Sequence, residues 1–118
     1  MCMISIYKDA NPTALHLSKP PLRYEIVCGE EQGDEYINLA CPDSTKIRVF
    51  WAIFGRTDSW TCRGKYPDER CGNRIQDTNL VKDICEGAQS CQIHASTNVF
   101  GDPCEHVDKF LQVSYRCV

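Results

Sequence analysis

Hydrophobic and polar residues alternate in four segments of the chain, a pattern that is typical of β-strands with one buried face. These segments are residues 24–28, 37–41, 47–53 and 111–117, and a shorter candidate runs from Gln92 to Ser96. In the last long segment, for example, Leu111, Val113 and Tyr115 alternate with polar residues. The pattern therefore predicts five short strands.

A different spacing, characteristic of a helix, precedes the Gln92–Ser96 segment. Its apolar positions are Leu80, Val81, Ile84 and Cys85. Asp77 or Thr78 is expected to cap the first amides of this helix, and Gly87 is expected to end it. Residues 57–76 show no regular period, so they are predicted to form a long loop between Cys62 and Cys71.

The length and composition of the chain indicate one small folded domain. It has 118 residues, of which 42% are hydrophobic and 25% are charged. Residues 1–22 contain several prolines and are expected to form a leader or flexible segment, and residues 23–118 are expected to form the domain. A net charge of −3 argues against nucleic-acid binding, and the longest apolar run, Val49–Phe54, is too short to insert into a membrane.

Nine cysteines change the picture, because eight of them fall between Cys28 and Cys117. An even number at irregular spacing in a small domain indicates a disulfide framework and an oxidising environment. The chain has no CxxC pair, which disfavours a zinc site, and spacing alone cannot choose among the pairings. The ninth, Cys2, is interpreted as a free thiol, an intermolecular bridge or a cloning remnant.

Two stretches of the chain resemble one known family. The first is Ala52–Asp58, which reads A-I-F-G-R-T-D, and the second is Ala95–Cys104, which ends in F-G-D-P-C. A closing strand, Lys109–Cys117, completes the set. Together with the order of the eight cysteines, they are similar to the sea-urchin-egg-lectin (SUEL) type domain, also called the rhamnose- or galactose-binding lectin domain.

The resemblance implies an α+β, mainly β fold. The expected architecture is a small antiparallel β-sandwich of about five strands, with one or two helices, long loops and four disulfides. The implied disulfide pairs are Cys28–Cys62, Cys41–Cys117, Cys71–Cys104 and Cys85–Cys91.

The resemblance also implies a sugar site where the loops converge. Asp102 matches the family's hydroxyl-accepting aspartate, and Lys109 matches a lysine that donates to a hydroxyl. Glu30, Asn98 and Phe54 are further carbohydrate-binding candidates, although each departs from the family's pattern. Gly29 stands where the family has a glutamate, Phe54 replaces a tyrosine, Thr97 replaces an asparagine, and His106 replaces a glycine. Arg56 is interpreted as structural.

The residues assigned to the sugar site also have simpler structural interpretations. Asp102 and Pro103 are also typical turn residues, and a lysine beside a strand is usually solvated. Asp102 and Glu30 could be imagined as a glycosidase pair, but nothing in the sequence fixes their separation, and no familiar catalytic motif is present.

The sequence therefore predicts an extracellular lectin domain, secreted or part of a cell-surface receptor, that binds galactose- or rhamnose-like glycans. The expected partners are cell-surface glycans or glycoproteins, with no enzymatic activity, cofactor or metal. The alternative is a protein-recognition module of an adhesion or guidance receptor whose sugar site has been lost. Such receptors, of the latrophilin or axon-guidance co-receptor kind, carry domains of this family.

Overall fold

A computed structural model of the chain describes residues 20–29 and 36–118, which hold five strands and two helices. The predicted mainly β fold with one or two helices is confirmed. Most of the predicted leader, together with Cys2 and Glu30, lies outside the described residues. The elements in chain order are β1 (Arg23–Cys28), β2 (Tyr36–Ala40), β3 (Ile47–Gly55), α1 (Arg74–Cys85), β4 (Ser90–His94), α2 (Thr97–Phe100) and β5 (Phe110–Cys117).

The strands form two antiparallel sheets. One has three strands in the order β1-β5-β3, and the other pairs β2 with β4. Strand β5 lies in the middle of the larger sheet, and all its residues except Arg116 are buried. The pairing of β3 with β5 shifts by one residue between Val49 and Trp51, which leaves Phe50 as a bulge.

Side chains from both sheets and from α1 share one apolar core. Its larger members are Ile37, Leu39, Ile47, Val49, Phe54, Val81, Ile93, Phe100, Leu111, Val113 and Tyr115. The alternating residues predicted from the sequence supply most of this core, because one face of each strand turns towards it.

The edge of β3 that faces away from β5 is covered by side chains rather than by another strand. An open strand edge presents unpaired N–H groups, and burying them without partners is costly. Here three backbone N–H groups of β3 donate to side chains: Val49 to Glu86 (2.8 Å), Ala52 to Thr78 (2.9 Å) and Phe54 to Asp77 (2.8 Å).

The predicted bounds of the helix and of β4 were wrong. Helix α1 begins at Arg74 and its N-cap is Asn73, whose side chain accepts from the Gln76 N–H (3.0 Å). Its first turn escaped the sequence pattern because the only buried side chain there is the polar Asp77. The C-cap is Glu86 rather than Gly87. Strand β4 lies two residues earlier than expected, over Ser90–His94.

Four disulfides join the elements and the loops. They are Cys28–Cys62, Cys41–Cys117, Cys71–Cys104 and Cys85–Cys91, the same pairs that the resemblance implies. In the described ranges, no helix is long and apolar enough to cross a membrane. The same residues contain no cluster of three side chains able to hold a metal ion.

Candidate functional site

The candidate site lies in the loop that leads from α2 into β5, residues 101–109. Its last residue, Lys109, directly precedes β5, and its backbone carbonyl accepts from the Gly29 N–H (2.9 Å) beyond the end of β1. Halfway along, the Cys71–Cys104 disulfide attaches the loop to the segment that pairs with Arg56. The loop is therefore anchored at both points to the strands of the larger sheet.

Lys109 is buried, with 5% of its side chain exposed. A buried ammonium group is costly unless its N–H donors are all satisfied. The ammonium of Lys109 donates to the carbonyl oxygens of Cys104 (3.0 Å) and Val107 (2.5 Å), and it lies 3.0 Å from Oδ1 of Asp102. The plainer interpretation, a solvated lysine, was wrong, because this side chain turns inward and binds three residues of the loop that precedes it.

Asp102 lies at the opening of the site, with 38% of its side chain exposed. Its Oδ1 atom forms the ion pair with the Lys109 ammonium and also accepts a hydrogen bond from the backbone N–H of Cys104 (3.3 Å). Its Oδ2 atom has no hydrogen-bond partner among residues 20–29 and 36–118. One carboxylate oxygen is thus fixed by the protein, and the other can accept from a ligand.

A cavity of about 350 Å³ opens beside this ion pair. Its size lies near the lower end of the range for small-molecule sites, which is roughly 300–1,000 Å³. Most of its walls are polar, and ionisable side chains of both signs face it. The lining residues are Lys65, Tyr66, Thr97, Asp102, His106, Val107, Asp108 and Lys109.

Two lining residues have left-handed backbone conformations, Tyr66 (φ 56°) and His106 (φ 68°). Side chains other than glycine adopt this region at a cost. The position of His106 is the one where the resemblance implies glycine, and its backbone still has the conformation that glycine favours. Tyr66 is 55% exposed and provides an aromatic surface at the opening of the cavity.

Arg56 holds the neighbouring loop in place. This agrees with the structural role that the sequence predicts for it. Its side chain is fully buried, and its guanidinium lies 5.2 Å from the centre of the Phe110 ring. It donates to four backbone carbonyl oxygens, those of Asp58 (3.1 Å), Thr61 (2.9 Å), Cys62 (2.5 Å) and Asp108 (2.8 Å). The planar guanidinium group, with its several N–H donors, therefore joins residues 58–62 to the loop that carries the site.

Asp58 stabilises the same loop from the other side. Desolvation acts to raise the pKa of Asp58, but hydrogen bonds from Thr61 and from the Trp60 N–H, together with the charge of Arg56, lower the pKa overall. Its carboxylate accepts from the Thr61 N–H (2.6 Å) and hydroxyl (2.7 Å). The long loop after β3 is thus ordered by polar contacts.

A second cavity, of about 240 Å³, is also lined by Asp102. The buried rings of Phe54 and Phe100 stack against each other at one wall, with centroids 5.1 Å apart. Asp77 also lines this cavity, and burial raises the pKa of its carboxyl group. The remaining lining residues are Asn73, Gln76, Gly101, Asp102 and Pro103.

The structure brings together some of the predicted site residues and separates others. Asp102 and Lys109 are in direct contact. Phe54 lines the second cavity, where only 1% of its surface is exposed, and it does not line the cavity beside Lys109. Asn98 is exposed and lines neither of these two cavities, whereas Thr97 does line the larger one. Glu30 lies outside the described residues.

Sequence reasoning missed Lys65, Tyr66 and Asp108 as lining residues. The first two come from the irregular loop, which is held to the site by two hydrogen bonds. The Lys65 N–H donates to the Asp108 carboxylate (2.8 Å), and the Asp108 N–H donates to the Lys65 carbonyl (3.2 Å). A Cβ atom at Gly64 would lie 2.1 Å from the same carboxylate, so the glycine permits this approach. Gly64 was the one feature of the sequence that pointed to a close contact in this loop, and a glycine alone does not show which residue makes that contact.

The sequence of the chain was compared with known protein families and with known proteins. Residues 39–117 match the family model described as the D-galactoside/L-rhamnose binding SUEL lectin domain. The L-rhamnose-binding lectin ELEL-1 of Echinometra lucunter is 36% identical over 98 residues, which are 81% of this chain and 91% of that protein. The D-galactoside-specific lectin of Heliocidaris crassispina is 34% identical over 99 residues, 81% of this chain and 90% of that lectin.

One relative carries the name of an enzyme. Beta-galactosidase 8 of Arabidopsis thaliana is 39% identical over 83 residues, which are 69% of this chain and only 9% of that protein. The match therefore concerns a small part of that protein, and it does not attach a catalytic activity to the present chain.

Proposed function

The chain belongs to the D-galactoside/L-rhamnose binding SUEL lectin domain family, and on that premise we propose that it binds galactose- or rhamnose-like units of glycans beside Asp102. The observation that carries the proposal is the Asp102–Lys109 pair at the edge of a cavity of about 350 Å³. Lys109 fixes one oxygen of the carboxylate, and the other oxygen faces a ligand.

A pyranose is recognised by donors and acceptors that are held at the spacing of its hydroxyl groups. Hydrogen bonds to a charged group contribute roughly 1.5–3 kcal/mol each, about twice the contribution of neutral ones. Oδ2 of Asp102 would accept from one sugar hydroxyl, and the hydroxyl of Thr97 lines the same cavity. Because the ammonium of Lys109 contacts the Cys104 and Val107 carbonyls as well as Asp102, its main role is to orient the carboxylate.

The exposed ring of Tyr66 adds a surface for the apolar face of a sugar. The cavity is open and mostly polar, so a single site is expected to bind a monosaccharide weakly. Useful affinity for a cell surface would then come from several sites engaging together. The expected ligands are glycans of secreted or cell-surface glycoproteins, in keeping with the four disulfides and an extracellular location.

Calorimetric titration with galactose and with rhamnose tests the proposal. The wild-type domain is expected to bind at least one of them at millimolar concentration, and Asp102→Ala is expected to abolish binding. Asp83→Ala is the matched control, because Asp83 is an exposed aspartate on α1 that lines neither cavity. Absence of binding by the wild-type domain, or full binding by Asp102→Ala, would contradict the proposal.

Recognition of a cell-surface protein is a second candidate function. It is favoured by apolar side chains of β1 and β3 that are about half exposed, namely Tyr24, Ile26 and Phe50. Arg74 lies over the ring of Trp51, 4.5 Å from its centroid, and Trp51 in turn contacts Tyr24, so a cation lies near these apolar side chains. Binding to cells that persists after enzymatic deglycosylation, and in Asp102→Ala, would support this function over the first.

A further inference from the structure

The second cavity shares one residue with the proposed sugar site. Asp102 lines both cavities, and it is exposed, as are its neighbours Gly101 and Pro103. A ligand that contacts Asp102 in the larger cavity is therefore next to a residue of the smaller one. Two cavities that share an acceptor are suited to a ligand made of two linked units.

The smaller cavity has the size and the polar groups that a single sugar ring requires. Its volume of about 240 Å³ lies below the range of roughly 300–1,000 Å³ for drug-sized ligands. The side-chain amide of Gln76 is exposed and makes no hydrogen bond to the described residues. An amide of this kind both donates and accepts, as recognition of vicinal hydroxyl groups demands.

The charge of the smaller cavity restricts the class of ligand. Asp77 and Asp102 both line it, and no lysine or arginine of the described residues does. An anionic sugar, such as a sialylated or sulfated unit, would face two carboxyl groups and no cationic side chain on the lining of this cavity, since Lys109 pairs with Asp102 from the larger one. A neutral unit would meet acceptors for its hydroxyl groups and, at one wall, the stacked rings of Phe54 and Phe100.

We propose that the smaller cavity is a second subsite, which binds the neutral sugar unit linked to the galactose- or rhamnose-like unit held beside Lys109. This inference rests on the proposed function, since the first unit must occupy the larger cavity. The domain then binds neutral disaccharides in preference to single sugars. Gln76 is the residue that determines this specificity, and Asp102 contacts both units.

The test is calorimetric titration of the wild-type domain with galactose, with rhamnose and with a panel of neutral galactose-terminated disaccharides of α and β linkage. At least one disaccharide is expected to bind about fivefold more tightly than the corresponding monosaccharide, since one additional neutral hydrogen bond contributes roughly 1 kcal/mol. A sialylated or sulfated counterpart is expected to lose that gain.

Gln76→Ala is expected to remove the disaccharide gain and to leave monosaccharide binding unchanged. Asn79→Ala is the matched control, because Asn79 is an exposed amide one turn later on α1 that lines neither cavity. Monosaccharide binding without a disaccharide gain, or a gain that survives Gln76→Ala, would overturn the second subsite alone. Failure of the wild-type domain to bind any of these sugars would overturn the proposed function together with this inference.

Discussion

The ammonium of Lys109 lies 3.0 Å from Oδ1 of Asp102, and Asp102 lines the cavity beside this ion pair. The two residues are seven positions apart, and the chain between them folds back so that the ammonium also donates to the carbonyl oxygens of Cys104 and Val107. The lysine therefore organises the loop and orients the acceptor at the same time.

Replacing the buried lysine tests both effects. In Lys109→Met, two carbonyl groups and one carboxylate oxygen lose their donor, and we expect the free energy of unfolding to fall by about 1–3 kcal/mol. Sugar binding should weaken strongly, because Asp102 then keeps only the long hydrogen bond from the Cys104 N–H (3.3 Å) to orient its carboxylate. Urea unfolding and calorimetry measure the two effects. Lys82→Met, at an exposed position on α1, is the control and should change neither quantity.

The conformation of His106 leads to a second prediction. His106→Gly removes a side chain from the cavity wall and a left-handed strain that costs roughly 1–2 kcal/mol. We expect higher stability and tighter sugar binding. His106→Ala also clears the ring but keeps the strained backbone, so it should improve binding without the gain in stability. Equal stability of the two variants in thermal unfolding would contradict this explanation.

Burial of Asp77 makes stability depend on pH. Burial raises the pKa of this carboxyl group above its ordinary value of 3.8, although hydrogen bonds from Phe54 and Asn73 oppose the shift. The folded state then binds the proton more tightly than the unfolded state, so this group's contribution to stability is greatest at low pH. It declines as the pH rises from about 3.8 through the raised pKa, and the loss is complete above it.

The measurement is urea unfolding of the wild-type domain and of Asp77→Asn across that pH range. The substituted amide cannot ionise, so the stability of the variant minus that of the wild type is expected to rise with pH and then level off. The amide oxygen can still accept from the Phe54 N–H, which limits any loss of structure. A difference that stays constant, or falls with pH, would show that burial does not raise the pKa of this carboxyl group.

The disulfides should differ in their contributions to stability. Cys41–Cys117 closes a separation of 76 residues and Cys85–Cys91 closes one of 6. In the chain-entropy model the first contributes about 4 kcal/mol and the second about 2 kcal/mol. Paired alanine replacements, compared by denaturant unfolding, should therefore destabilise the domain more at Cys41 and Cys117. The opposite order would mean that local strain or packing, rather than loop closure, determines the effect.

The sequence predicted most of the fold because its strands bury one face each. Residues such as Leu111, Val113 and Tyr115 recur with a period of two, and all three are in the core. The start of α1 was not predictable in this way, since Asp77 is its only buried side chain before Val81 and contacts a strand 23 residues away. A polar residue buried by a distant backbone partner leaves no periodic signal.

The candidate site was predicted only in part, for a related reason. The motifs identified Asp102 and Lys109, but the sequence could not reveal that Lys109 is buried or that Phe54 lines a different cavity. Tyr66 and Lys65 reach the site because an irregular loop is fixed by hydrogen bonds between backbone atoms and the side chains of Arg56, Asp58 and Asp108. Such contacts depend on the folded loop, and no local pattern encodes them.

The most direct measurement is a crystal structure of the domain grown or soaked with galactose and with rhamnose. A sugar ring is expected in the cavity beside Lys109, with a hydroxyl group within hydrogen-bond distance of Oδ2 of Asp102. A ring bound away from Asp102, or a cavity that stays without sugar at concentrations where binding occurs in solution, would contradict the proposed site.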